Sequence, residues 1–121
     1  MQMIKKILLA ALIWVALNSV AFASTDLTII NQTGKTITQI YLSPTDEPEE
    51  WIMQSANFLR DGESVTLVIN PKQFTPRPRL RYFNIGVNYD DFTQETWFGL
   101  DIFNLSKIRL YVEGHDVAWR N

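Results

Sequence analysis

Residues Leu80 to Tyr89 read LRYFNIGVNY, and the fold class turns on that stretch. Phe83, Ile85, Val87 and Tyr89 alternate with Tyr82, Asn84, Gly86 and Asn88, the two-residue period of a strand with one apolar face. Aromatic and β-branched residues suit a pleated, half-buried surface, so the reading is a central β-strand. Asp90-Asp91-Phe92 turns the chain, and Gln94 to Leu100 forms the next strand. Lys107 to Glu113 follows with Ile108, Leu110 and Val112 pointing together. A turn at Glu113-Gly114 then leads into a short terminal strand, His115 to Arg120.

Toward the N-terminus, Pro71 to Arg79 (PKQFTPRPR) has prolines and no period, which predicts a loop. Glu63 to Asn70, after the turn signal Asp61-Gly62, alternates again and predicts a strand. DLTIIN (Asp26 to Asn31) and TITQIYLSP (Thr36 to Pro44), joined by Gln32-Thr33-Gly34-Lys35, read as a β-hairpin ended by Pro44. The run Asp46-Glu47-Pro48-Glu49-Glu50 is a solvated loop, and WIMQSANFL behind it reads as a short helix or turn over a core edge. About seven short strands separated by turn signals, with no long helix, predict an all-β domain, a compact antiparallel sandwich or barrel.

The first 23 residues, MQMIKKILLAALIWVALNSVAFA, have the three parts of an export signal: Lys5 and Lys6, the apolar run Ile7 to Leu17, and Ala21-Phe22-Ala23. The apolar run is shorter than the roughly 20 residues that span a bilayer. The expectation is therefore cleavage after Ala23, a single β domain over residues 24–121, no transmembrane segment afterwards, and a periplasmic or secreted location. Taking Lys5 and Lys6 from the 11 Lys and Arg leaves nine against 13 Asp and Glu, a net charge of −4 that disfavours nucleic acid as a partner. There is no cysteine, so neither disulfides nor thiol chemistry enter. Stability is expected from apolar burial, with Trp51, Trp97, Trp119, Tyr82, Phe83, Tyr89, Phe98 and Tyr111 each bringing a large buried area.

Catalytic patterns are sparse. The single histidine, His115, is followed by Asp116, but neighbours on an extended chain face opposite ways and do not form a base and its orienting group. No serine sits in a nucleophile elbow. Soft metals need several His or Cys ligands. Asp90, Asp91, Glu95 and Asp101 could offer oxygens to calcium, yet they lack the ligand order of a calcium loop, and a solvated turn is the stronger reading. No cofactor is implied. Arg77, Arg79 and Arg81 alternate, so an extended backbone would align three guanidinium groups, either as an anion grip or as a charged strand edge. Asn31-Gln32-Thr33 and Asn104-Leu105-Ser106 match the glycosylation sequon.

The segments INQTGKTITQIYLSP (Ile30 to Pro44), EEW (Glu49 to Trp51), LRDGESVTLVI (Leu59 to Ile69), FNIGVNYDD (Phe83 to Asp91) and TWFGLDIFNLSKIRLYV (Thr96 to Val112) together resemble a family of small exported bacterial proteins of unknown function. Its members often carry the label argininosuccinate lyase. The true lyase is a long, helical, cytoplasmic tetramer, which this short strand-rich chain does not resemble. The resemblance implies no substrate and no catalytic residue. It implies a cysteine before the strand that matches Phe83 to Tyr89, another at the position of Phe103, and a glycine at the position of Phe92. Here the cysteines are absent, so Phe83, Phe103 and their neighbours are expected to fill that space by packing.

The function these readings favour is a small exported, non-enzymatic binding or accessory protein of the cell envelope that contacts a protein partner in an inhibitor, immunity or accessory role. Its candidate contact residues are the turn-borne Trp51, Asp90, Asp91 and Phe92. The alternatives are a small hydrolase or carbohydrate-active enzyme and a calcium-stabilised structural module.

Overall fold

The computed structural model describes residues 23–76 and 80–120. It is an all-β sandwich of eight strands: β1 (Thr25–Asn31), β2 (Ile37–Pro44), β3 (Ile52–Ser55), β4 (Ser64–Ile69), β5 (Phe83–Tyr89), β6 (Gln94–Leu100), β7 (Leu105–Tyr111) and β8 (Gly114–Trp119). They form two four-stranded sheets, one in the order β4-β1-β7-β8 and the other β3-β2-β5-β6. Apart from Ala23, the expected leader lies outside the described residues, as do Arg77 and Arg79 of the basic stretch. Among the described residues no helix is long and apolar enough to cross a membrane.

β5 is a central strand of the second sheet, flanked by β2 and β6, and its inward residues Phe83, Ile85, Val87 and Tyr89 are all buried. Across the sandwich they meet Leu27, Ile29, Leu67, Ile69, Ile108 and Leu110 of the first sheet. Phe74, carried in by a 3₁₀ turn at Pro71–Gln73, and Phe103 close one end of this core. Their rings lie 4.9 and 5.5 Å from that of Phe83, tilted and edge-on, geometries that suit the aromatic quadrupole. Trp97 is also core, and its indole N–H donates to the carbonyls of Tyr111 and Gly114 at 3.2 and 2.9 Å.

The structure corrects several expectations. β1 and β2 are not a hairpin: β1 lies between β4 and β7, β2 between β3 and β5, and the chain crosses from one sheet to the other over residues 32–36. β1 also runs parallel to β7, so the first sheet is mixed. The segment after Trp51 is not a helix. Ile52–Ser55 is extended and covers the edge of β2, which would otherwise leave its backbone groups unpaired. Trp51, Tyr82, Phe98 and Trp119 are substantially exposed rather than core, and Val112 sits in the β7–β8 turn. β8 is an edge strand, so Trp119 has strand neighbours on one side only.

The crossover replaces a hairpin ladder with one side chain. Asn31 is fully buried at the end of β1. Its Nδ2 donates to the carbonyls of Lys35 and Leu59, both at 2.8 Å, and its Oδ1 accepts from the Thr33 N–H at 3.0 Å and the Thr33 hydroxyl at 2.7 Å. Both donors and both lone pairs of the amide are used. Its backbone is fixed as well, by Asn31 N–H to the Glu63 carbonyl (2.9 Å) and Gly62 N–H to the Asn31 carbonyl (2.6 Å). Buried in this way, the first sequon is closed to modification in the folded domain.

Asn31→Ala leaves buried polar groups unpaired and is expected to lower unfolding free energy by about 3 kcal/mol. Asn31→Asp, which sets a carboxylate against two carbonyl oxygens, should cost more. Urea denaturation followed by fluorescence reads both, and an Asn31→Ala loss below about 1 kcal/mol would contradict this account of the crossover.

Candidate functional site

The crossover positions a second turn. The Lys35 carbonyl is held by Asn31, and the Lys35 ammonium reaches across to the β5–β6 turn, 3.2 Å from Asp91 Oδ2 and 3.2 Å from the Thr93 hydroxyl oxygen. It also stands 4.8 Å from the Tyr89 ring centroid, a cation–π distance. Asp90 N–H donates to the Thr36 carbonyl at 3.0 Å, joining the two loops through backbone. Within the turn, Asp91 Oδ1 accepts from the Thr93 N–H at 3.0 Å and from the Thr93 hydroxyl. The Thr93 hydroxyl, then the Thr93 N–H and the Lys35 ammonium, stabilise the carboxylate and hold the Asp91 pKa at about 2. At the base of the turn the Tyr89 hydroxyl donates to Glu95 Oε1 at 2.7 Å. Burial and that carboxylate push the Tyr89 pKa upward.

This clamped turn carries Phe92 in a left-handed conformation, φ 66°, with the residue 97% exposed. Its N–H donates to the Tyr89 carbonyl at 3.1 Å, which places Phe92 at the left-handed end of a short hairpin loop where glycine is the favoured residue. The ring therefore carries backbone strain and gains no burial within the domain. Beside it, Phe58 is 70% exposed on the segment after β3. Phe58, Ala56, Asp90, Phe92, Thr38 and Gln39 line a depression of 560 Å³ that Asn88 and Gln94 help to floor.

Trp51 lies elsewhere. It sits on the outer face of the second sheet, in a groove of 350 Å³ lined with Tyr41, Gly86, Asn88, Gln94, Glu95 and Thr96. The six-membered ring of its indole rests against Gly86, where a Cβ would stand 2.8 Å from Cζ3. Only glycine allows that approach. Of the four residues singled out in the sequence, the fold brings Asp90, Asp91 and Phe92 together and sets Trp51 in an adjoining groove that shares Asn88 and Gln94 with the Phe92 depression.

Sequence reasoning missed Phe58, Lys35 and Tyr41. It noted Gly86 and Asn88 only as the outer face of β5, although a glycine inside a strand pattern is itself a sign of close approach. Of the carboxylates weighed for calcium, Asp101 is set apart from Asp90 and Asp91 of the β5–β6 turn and from Glu95 at the start of β6. Asp101 is buried at the far end of β6, roughly 20 Å from Asp91. There it accepts from Arg81 Nε and Nη2, both at 3.0 Å, and from Asn104 Nδ2 at 3.1 Å. Arg81 is therefore engaged in an ion pair. Among the described residues no three His, Cys, Asp or Glu side chains gather as a metal site. His115 is exposed on β8, and Asp116 accepts instead from the Tyr111 hydroxyl at 3.0 Å.

No protein-family model matches the chain, and no curated protein matches it. Among solved structures, the NMR structure of a protein from Eubacterium rectale is similar at a TM-score of 0.49 and 13% identity, over 81% of this chain and 89% of that one.

The Asp91 carboxyl should titrate near pH 2 in carbon-detected NMR, well below an ordinary aspartate at about 3.9. Because the folded pKa is the lower one, its contribution to stability is complete above the unfolded value and is lost as pH falls through about 2. A midpoint at the ordinary value would dismiss the clamp. Separately, Gly86→Ala should displace the Trp51 ring and cost about 1 kcal/mol. Acrylamide quenching should increase in the Gly86→Ala protein but not when Trp51 is also changed to Phe. Unchanged quenching would place the indole away from Gly86.

Proposed function

We propose that this chain is a small exported, non-enzymatic binding protein of the bacterial cell envelope that engages a protein partner through the Phe92 end of the sandwich. The observation that carries the reading is Phe92 itself. A bulky apolar ring is held in solvent by a left-handed backbone, on a turn fixed by Asp91, Thr93 and Lys35. Strain of this kind costs about 1–3 kcal/mol and persists where surrounding structure enforces it, most often at sites that contact something else. Rigid presentation also lowers the ordering cost of association.

The partner this end suits has an apolar cleft for the Phe92 ring, a second contact for Phe58 and a basic rim toward Asp90. A loop tip entering a cleft is the geometry of an inhibitor or immunity protein, the roles its expected export also fits. Aromatic anchors surrounded by polar groups dominate the energetics of such interfaces.

Phe92→Gly separates strain from binding. The glycine relieves the left-handed backbone, so the variant should gain about 1 kcal/mol, seen as a melting temperature higher by about 4–8 °C. It should also lose a partner that the immobilised wild-type domain recovers from envelope extract. Equal recovery by both proteins, or recovery by neither at a sensitivity that captures micromolar binding, would overturn the proposal.

A further inference from the structure

The groove beside Trp51 is lined quite differently from the Phe92 end. Its 350 Å³ falls at the lower end of the roughly 300–1,000 Å³ of small-ligand sites. One wall is the Trp51 indole, seated on Gly86 and still 40% exposed. Around it stand neutral polar groups: the Tyr41 and Thr96 hydroxyls and the Gln94 amide, none of which has a hydrogen-bond partner among the described residues. Asn88 Nδ2 donates to Gln39 Oε1 at 2.6 Å, which orients that amide at the groove's edge.

The charge balance narrows the ligand. Among the described residues Glu95 is the single charged side chain in the lining, and both of its oxygens are occupied, Oε1 by the Tyr89 hydroxyl at 2.7 Å and Oε2 by the Glu113 N–H at 2.6 Å. Among the described residues the lining holds no Lys or Arg, so a phosphate or carboxylate would find no counter-charge there. A wholly apolar ligand would strand the amide and hydroxyls without partners. The matching ligand has an apolar face for the indole and an edge of groups that both donate and accept. A pyranose ring has both, C–H groups on its face and hydroxyls around its rim.

We propose that the outer face of the second sheet binds a neutral oligosaccharide, one sugar ring stacked on Trp51 with its hydroxyls on Gln94, Thr96 and Tyr41. Gly86 is the residue that makes the platform, because it lets the indole settle against the sheet and fixes it before the sugar arrives. The groove adjoins the Phe92 depression, with which it shares Asn88 and Gln94, but the proposal does not depend on the partner reading.

The test is an NMR titration of the labelled domain with cellotetraose, maltotetraose and tetra-N-acetylchitotetraose, each taken to about 10 mM, enough to see millimolar binding. At least one should give saturable shifts at the Trp51 indole N–H and the Gln94 side-chain amide. Trp51→Ala should weaken that sugar about tenfold or more. Gln94→Ala, at an exposed strand end, and Thr96→Val, which removes only a hydroxyl, should each weaken it by a smaller factor. Phe92→Gly should leave it unchanged. No saturable shift with any of the three sugars, shifts that map to another face, or undiminished binding by both Trp51→Ala and Gln94→Ala would overturn the proposal. If Trp51→Ala does not fold, Gln94→Ala and Thr96→Val decide it.

Discussion

The buried amide of Asn31 is the constraint on which the rest of this domain depends. A sandwich must move its chain between sheets, and each crossing leaves backbone groups that no strand ladder can satisfy. Here the amide donates to the carbonyls of Lys35 and Leu59 and accepts two bonds from Thr33, so its own hydrogen-bonding capacity is filled at the crossing. Leu59 is thereby held where it bridges Ile37 at the start of β2, and Gly62 and Glu63 are held where β4 begins. One residue, through its side chain and its backbone, fixes the ends of both sheets. In a chain with no cysteine, such polar nodes do locally what a disulfide would do, provided every member is satisfied.

The same node explains why the β5–β6 turn tolerates Phe92. Asn31 holds Lys35 by its carbonyl, Lys35 holds Asp91 and Thr93 by its ammonium, and Thr36 holds Asp90 by backbone. A left-handed phenylalanine on a loosely anchored loop would relax into an ordinary conformation. Three anchors from a neighbouring crossover make that relaxation costly. The Phe92 turn thus derives its rigidity from a core residue some 60 positions earlier in the chain.

The strands were legible because burial in a sandwich is written with period two. Phe83 to Tyr89 and Val65 to Ile69 show it openly, and both are inward-facing strands of the structure. The pairing of strands was not legible. DLTIIN and TITQIYLSP around a Thr-Gly turn satisfy every local rule for a hairpin, and nothing local reveals that Asn31 would be buried and spend its amide on Leu59, 28 residues away. Nor does alternation distinguish a parallel from an antiparallel neighbour, which is why β1 beside β7 was unforeseen. The large aromatics misled for a related reason. Aromatic area favours burial only where a second layer exists, and Trp119 on an edge strand and Trp51 on an outer face have none.

The core is closed with aliphatic residues, Phe74, Phe83 and Trp97, while Trp51, Phe58 and Phe92 remain outside on or beside the second sheet. Scattered exposed aromatics need no explanation, but Phe92 and Trp51 differ in how they are held. Phe92 is kept out by a strained and clamped turn, and Trp51 is drawn down by a glycine that admits it. In each case the backbone has been shaped around the ring, the opposite of what a passively exposed residue requires. On the first sheet Val68 is exposed on an outer strand face, Trp119 is exposed on the edge strand β8, and the hydroxyl pair Thr28 and Thr66 satisfies itself at 2.9 Å. The clamped Phe92 and the glycine-seated Trp51 both belong to the second sheet and its loops.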